Sequence, residues 1–271
     1  MSNSVLPPIG IIGFGNMGEA LAAGLMKTAP QTVLHIFEHQ AEAKAKALVQ
    51  YKLPVSATLS ELLQKSEILI LAIKPQDLGP VTQKLAEEGF AQKKKTLISL
   101  AAGVKTSWFT SRLGTNQVVR FMPNLAAKVG ASLVGVSPAE GCPDEITNQA
   151  VQIAQAAGEA AVVPEKLLGV VTGISGSGIA FVFRFLHAMA MGGVREGMPY
   201  SQALAFSLAA ADGAVKLLRE TAEHPMAFES KVCSPAGTTI EGVRVLEEAS
   251  MSAAVMDAVS AATRRAVELE N

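Results

Sequence analysis

The segment IGIIGFGNMGEAL constrains this chain more than any other part of it. Gly13, Gly15 and Gly18 form a G-x-G-x-x-G pattern between a short apolar run, Ile9–Phe14, and a stretch with helical spacing, Gly18–Lys27. A glycine-rich turn in that context predicts the first strand–turn–helix of a dinucleotide-binding fold. Gly13 permits the tight turn, Gly15 lets the backbone approach a pyrophosphate, and Gly18 lets the helix pack on the strand. The start of the helix then aims unpaired N–H groups at the phosphate. The whole loop, Gly13, Phe14, Gly15, Asn16, Met17 and Gly18, is a candidate cofactor site.

The rest of the first 160 or so residues supports that reading. Val33–Phe37 reads as a strand and Ala41–Tyr51 as a helix. Ile68–Ile73, Thr96–Ala101 and Val118–Met122 are aliphatic runs expected of strands covered on both faces. Alternation of strands and helices predicts βαβ units, right-handed connections and a mostly parallel sheet with ligands at the strands' carboxyl ends. From about Pro164 the strand pattern stops. Leu167–Thr172, Ile179–Met191, Ser201–Glu223, Thr239–Glu248 and Ser252–Leu269 read as helices, several apolar on more than one face. The expected architecture is therefore α/β: a Rossmann-like doubly wound sheet over residues 1–163, then an all-helical domain over 164–271. So much apolar helix surface calls for a second subunit.

Composition narrows the function classes. The chain is 49% hydrophobic and 17% charged with a formal net charge of −1, so no basic excess points to nucleic acid. Cys142 and Cys233 make neither a disulfide framework nor a zinc spacing, which suits reduced thiols in the cytoplasm. No His pair has ligand spacing, so no metal is expected. Met1–Pro8 lacks the charged and apolar regions of a signal peptide. The uncharged run Leu167–Phe183 contains four glycines and is short for a membrane span, so it reads as helix and loop buried in protein.

Other candidate residues sit where strands end. Glu38 follows the second strand, 25 residues after Gly13. An acid there accepts hydrogen bonds from the adenine ribose and repels a 2′-phosphate. His39 and Lys44 are close enough in sequence to meet a phosphate, so NAD and NADP both stay open. Ala72, Ile73, Lys74 and Pro75 end the third strand. Ser99–Gly103, with Ala101 and Ala102, ends the next in small residues, as if something flat lies against it. Asn124 ends the segment RFMPN. No Ser-His-Asp or metal constellation accompanies these residues. A dinucleotide fold without an acid–base pair suits an easy hydride acceptor such as an iminium carbon.

The motifs GFGNMGEA from Gly13, LAIKPQ from Leu71, SLAAG from Ser99, VRFMPN from Val119, GISGSG from Gly173, GGVREGMP from Gly192, EHP from Glu223 and CSPAGTTIEGVRVLEE from Cys233 occur in that order. Together they resemble the pyrroline-5-carboxylate reductase family over nearly the whole chain. The resemblance implies an NAD(P)H-binding domain joined to a helical domain that intertwines with a second subunit, and dimers that assemble further. It implies hydride transfer to the C=N carbon of 1-pyrroline-5-carboxylate, giving L-proline. It also implies a substrate carboxylate held by backbone amides of Ala236, Gly237, Thr238 and Thr239, with Thr239 Oγ1 near the ring nitrogen, the MPN segment bordering the nicotinamide and its Asn124 a further substrate-binding residue. Thr238-x-x-Glu241 in addition fits a helix capping box. The chain departs from the family pattern at Leu125, Ala126, Ile179, Phe181, Met191 and Ala236, the last standing where the family has glycine. Two rival readings share the glycine loop. A β-hydroxyacid dehydrogenase relative would need a lysine on the helical domain, where Leu167–Met191 offers only Arg184. A nucleotide-binding regulatory dimer that has lost catalysis rests on the departures alone.

Overall fold

The computed structural model describes residues 6–270. The expectation about Met1–Pro8 falls largely on residues 1–5, which lie outside the described residues. The chain divides into two compact units. One runs through Gly176 and takes the chain in again from Ala262; the other is Ser177–Ala261. This division falls after the first helical turns that follow Pro164, because Leu168 and Val171 pack closely over Gly135 of the sheet, where a Cβ would be a tight fit.

The first unit is built on seven strands: β1 (Ile9–Ile12), β2 (Leu34–Phe37), β3 (Ile68–Leu71), β4 (Thr96–Ser99), β5 (Val118–Met122), β6 (Ser132–Pro138) and β7 (Gly158–Val162). Their order is β2-β1-β3-β4-β5-β6-β7, parallel throughout except between β5 and β6. Side chains alternate between two aliphatic cores, as the pleat requires. Ile68 and Ile70 of β3 enter one core with α1 (Asn16–Thr28) and α6 (Asp144–Ala154). Leu69 and Leu71 enter the other with α3 (Leu59–Lys65), α4 (Leu78–Glu87) and α5 (Thr106–Leu113). Between β2 and α3 runs α2 (Ala41–Val49). The strands stop one or two residues short of the sequence expectation wherever the chain must turn into a site. Gly13, at φ 94°, ends β1. β6 and β7 were not anticipated.

Beyond β7 lie α7 (Leu168–Val171) and a π-helical turn, Thr172–Gly176. The second unit then holds α8 (Gly178–Arg195), α9 (Tyr200–Thr221), α10 (Pro225–Val232), α11 (Thr238–Glu248) and the first part of α12 (Met251–Glu268). α8 and α9 meet along small residues: Ala190, Ala203 and Ser207 are buried, and a Cβ on Gly193 would crowd that of Ala203. Away from this seam apolar side chains stay uncovered, among them Phe206 at 68% and Met256 at 63% exposure.

That corrects the expectation of a buried Leu167–Phe183. Val182 and Phe183 are more than half exposed, because one helix pair can cover only one stripe of each helix. The helical run Glu165–Arg195 is also longer than the uncharged segment, since Arg184 does not end it. By length and composition alone it could cross a membrane.

Candidate active site

The strand order reverses direction at β1, between β2 and β3, and α/β sheets bind ligands in the crevice beyond such a point. A cleft of about 720 Å³ lies there, lined by Gly13, Gly15, Asn16 and Met17 from the first loop and by Ala72, Ile73 and Lys74 after β3. Each glycine meets a distinct demand. At Gly13 a Cβ would strike the Ala72 carbonyl, and at Gly18 it would strike the Gly13 carbonyl. At Gly15 it would meet nothing within 4 Å, so the backbone there is open to a ligand. The loop therefore fits a dinucleotide pyrophosphate at the start of α1, whose first residue is Asn16.

The other predicted cofactor residues divide. Phe14 is buried with its ring against Tyr51, and Gly18 is buried under the turn. Pro75 begins a 3-10 turn whose neighbours Lys74, Gln76 and Asp77 line the cleft. After β4 the wall is Leu100; Ala101 is part of the core and Ala102 is exposed. The small size of this segment has another cause, since a Cβ on Gly103 would press on the Leu269 carbonyl at 2.7 Å.

Glu38 is no free surface acid. Its Oε2 accepts the Phe14 amide at 2.7 Å, and its Oε1 accepts the amides of His39 and Gln40 at 2.7 and 2.8 Å. His39 lines the cleft with its ring edge-on to Phe37, whereas Lys44 is exposed on α2. Lys128 was missed from sequence: its Nζ donates to Asn16 Oδ1 at 2.7 Å, placing a cation beside the glycine loop. No local signal links two residues 112 positions apart.

Asn124 brackets the end of β5. Its Oδ1 accepts the Ala126 amide at 2.9 Å, and its Nδ2 donates to Ser175 Oγ at 2.9 Å and to the Ser175 carbonyl at 3.3 Å. Both ends of its amide thus have protein partners, tying the β5 end to the π-helical turn of GISGSG. Gly176 completes the joint, because a Cβ there would press on Met122. Within β5 itself, buried Arg120 donates to Glu165 at 2.8 Å and to Glu270 at 2.9 Å. Burial raises the Glu165 pKa, but hydrogen bonds from Arg120 and from Thr106 outweigh it and hold the carboxyl below its usual range.

In the second unit the loop ahead of α11 is a tight turn. The Gly237 amide donates to the Ser234 carbonyl at 3.0 Å, with Pro235 and Ala236 at the corners. Ala236 has φ 56°, the left-handed value that a type II turn demands of its third residue. A Cβ on Gly237 would strike Ser234 Oγ, so that hydroxyl would have to turn away. The capping-box reading of Thr238 is overturned: the cap residue is Gly237, without a side-chain cap, and Thr238 is already the first helical residue. The reason is the turn, which delivers an extended Gly237 to the capping position. The opening amides of α11 are therefore left without a side-chain acceptor, and Thr239 is half-buried beside them.

Residues 165–269 match a family model described as pyrroline-5-carboxylate reductase dimerisation, and residues 8–103 match one described as NADP oxidoreductase, coenzyme F420-dependent. The pyrroline-5-carboxylate reductase of Methanosarcina acetivorans is 42% identical over 96% of this chain and 97% of its own. That of Escherichia coli is 36% identical over 96% and 97%. The solved structure of a pyrroline-5-carboxylate reductase from Coxiella burnetii matches with a TM-score of 0.91 at 26% identity, over 98% of this chain and 99% of that one. With the glycine cleft in one unit, the uncapped helix start in the other and this likeness along both, the chain belongs to the pyrroline-5-carboxylate reductase family.

Proposed function

We infer that this protein reduces 1-pyrroline-5-carboxylate to L-proline with NAD(P)H, the last step of proline synthesis. The observation that carries the substrate side is the uncapped start of α11. Amides of Ala236, Thr238 and Thr239, on a turn that the Gly237 amide closes and at the positive end of an 11-residue helix, favour a carboxylate without any cationic side chain. Thr239 Oγ1 then contacts the ring nitrogen, which arrives protonated with the substrate or takes its proton from water. The bound cofactor supplies the hydride. The chain's own part is to hold the dinucleotide on Gly13–Gly18, Glu38 and Ala72–Pro75, with Leu100 as the wall after β4, and to fix the orientation of the imine. Asn124 acts here as a positioning residue, holding the MPN segment in place through Ser175.

We assign the uncovered apolar face of Ser177–Ala261 to a second copy of this chain, and a cytoplasmic setting to the dimer and any larger assembly of it. Lipid and nucleic acid have no part in this reading. Support comes from the dimerisation match over 165–269 and from the glycines and π-helical turn that interrupt the apolar run. The test is Thr239→Val. Proline formation at saturating substrate falls about tenfold to a hundredfold while the cofactor dissociation constant holds. Unchanged turnover in that variant would remove Thr239 from the site. No oxidation of NADH or NADPH by the unaltered protein with pyrroline-5-carboxylate would remove the reaction.

A further inference from the structure

We propose that Glu38 makes this protein select NADH over NADPH, by filling with its own carboxylate the amide nest that a 2′-phosphate would need. This rests on the reading that the first unit's cleft binds a reduced nicotinamide dinucleotide.

β2 ends at Phe37, so the next three residues form the rim of the cleft where the adenine ribose of a bound dinucleotide lies. Three backbone N–H groups converge there from two separate segments: Phe14 in the glycine loop, and His39 and Gln40 in the turn into α2. Converging amides of this kind make an anion site. In this chain the anion is built in. The distances of 2.7, 2.7 and 2.8 Å are short, as for amides on a carboxylate, so all three donors are committed to Glu38.

Two consequences follow. A carboxylate offers about four acceptor positions, and three are taken. What remains suits a ribose hydroxyl, which brings a proton to donate. A 2′-phosphate brings about −1.5 to −2 charges and almost no proton at neutral pH. It would meet a fixed negative charge whose amides are already spent. Glu38 cannot swing aside without giving up three bonds, one of which, from the part-buried Phe14 amide, stitches the glycine loop to the β2 end. Among the described residues that line the cleft, no lysine or arginine sits next to Glu38. The lining lysine, Lys74, follows β3, and the residue beside Glu38 is His39, edge-on to Phe37.

The experiment measures dissociation constants of NADH and NADPH by calorimetry on the full-length protein without substrate, and repeats them with ADP-ribose and its 2′-phosphate derivative to isolate the phosphate. The unaltered protein binds NADH at least tenfold more tightly, and ADP-ribose more tightly than the phosphorylated form. Glu38→Ser empties the nest and leaves a hydroxyl donor, so the NADH/NADPH ratio moves at least tenfold toward NADPH. Glu38→Gln keeps the size and removes the charge, and shifts the ratio the same way by less. Circular dichroism melting confirms that each variant is folded, and the isosteric Gln variant carries the test if the Ser variant is not. Equal or tighter NADPH binding by the unaltered protein overturns the proposal while leaving the reductase reading intact. So does an unchanged ratio in folded variants. Failure of the unaltered protein to bind either dinucleotide overturns both.

Discussion

Ala236 sits at a position whose backbone suits glycine. At φ 56° its Cβ costs about 1–2 kcal/mol relative to a right-handed conformation. The cost persists because the Ser234–Gly237 hydrogen bond and Pro235 leave the turn no other shape. Ala236→Gly releases that strain and loses about 0.4–1 kcal/mol to the freer unfolded chain. The net expectation is a stabilisation of about 0.5–1 kcal/mol, read from urea unfolding at fixed protein concentration; a lower midpoint would show that the turn carries no strain. The same loop shows where sequence reading stops at residue scale. Thr58-x-x-Glu61 and Thr238-x-x-Glu241 present one pattern. Thr58 does cap α3, accepting the Glu61 amide at 3.1 Å, while Glu61 accepts the Ala57 amide. Thr238 does not cap, because a turn set four residues earlier shifts the helix start. By contrast Gly13, Gly15 and Gly18 were legible at once. Their roles depend on spacing within six residues, and that spacing is the turn.

Strands buried on both faces announced themselves as aliphatic runs, and β1 to β5 lie where the sequence puts them. β6 and β7 did not, because SLVGVSP and GEAAV are small-residue segments and β7 is half-exposed along its length. The antiparallel β5–β6 step has no local signature either. Long-range ties are equally silent: Arg120 reaches Glu165 across 45 positions and Glu270 across 150. Those ties fix the end of the chain to the first unit and hold β5, the start of α5 and the turn after Pro164 together. Arg120 side-chain exposure is 6%, against 27% and 12% for its two partners. Removing the cation leaves carboxylates in a poorly hydrated place. Arg120→Met therefore costs about 2–4 kcal/mol, below the fully buried range because Glu165 keeps some water. The acid limb carries its own test. The folded pKa of Glu165 lies below the unfolded one, so its contribution is complete above the usual carboxylate pKa of about 4.3 and is lost as pH falls through the folded value. Glu165→Gln, melted at a series of pH values, shows its largest deficit near neutrality and converges on the unaltered protein at low pH. A constant deficit across that range would mean that the carboxylate charge is irrelevant.

At the scale of the whole molecule, the two units face different physical problems. The first covers both faces of its sheet and closes its own cores. The second, Ser177–Ala261, buries one narrow helix seam and leaves Phe206, Met256, Val232 and Val245 each more than half exposed. At roughly 25 cal/mol per Å² of apolar surface, a face of that kind is worth many kcal/mol to whatever covers it. If a second copy covers it, folding of this unit and association are one equilibrium, and apparent stability rises with protein concentration. The melting temperature should therefore climb over a dilution series of about a hundredfold, whereas a monomer would melt at one temperature throughout. Phe206→Arg places a charge on that face without touching either the glycine cleft or the 236–239 turn. It is expected to shift the protein to a smaller species in sedimentation, to lower the melting temperature and to abolish its dependence on concentration. NADH binding to the first unit should survive, because the core and cleft of that unit are complete within its own residues. A variant that still sediments as the unaltered protein, with the same concentration-dependent melting, would place the subunit contact on another face.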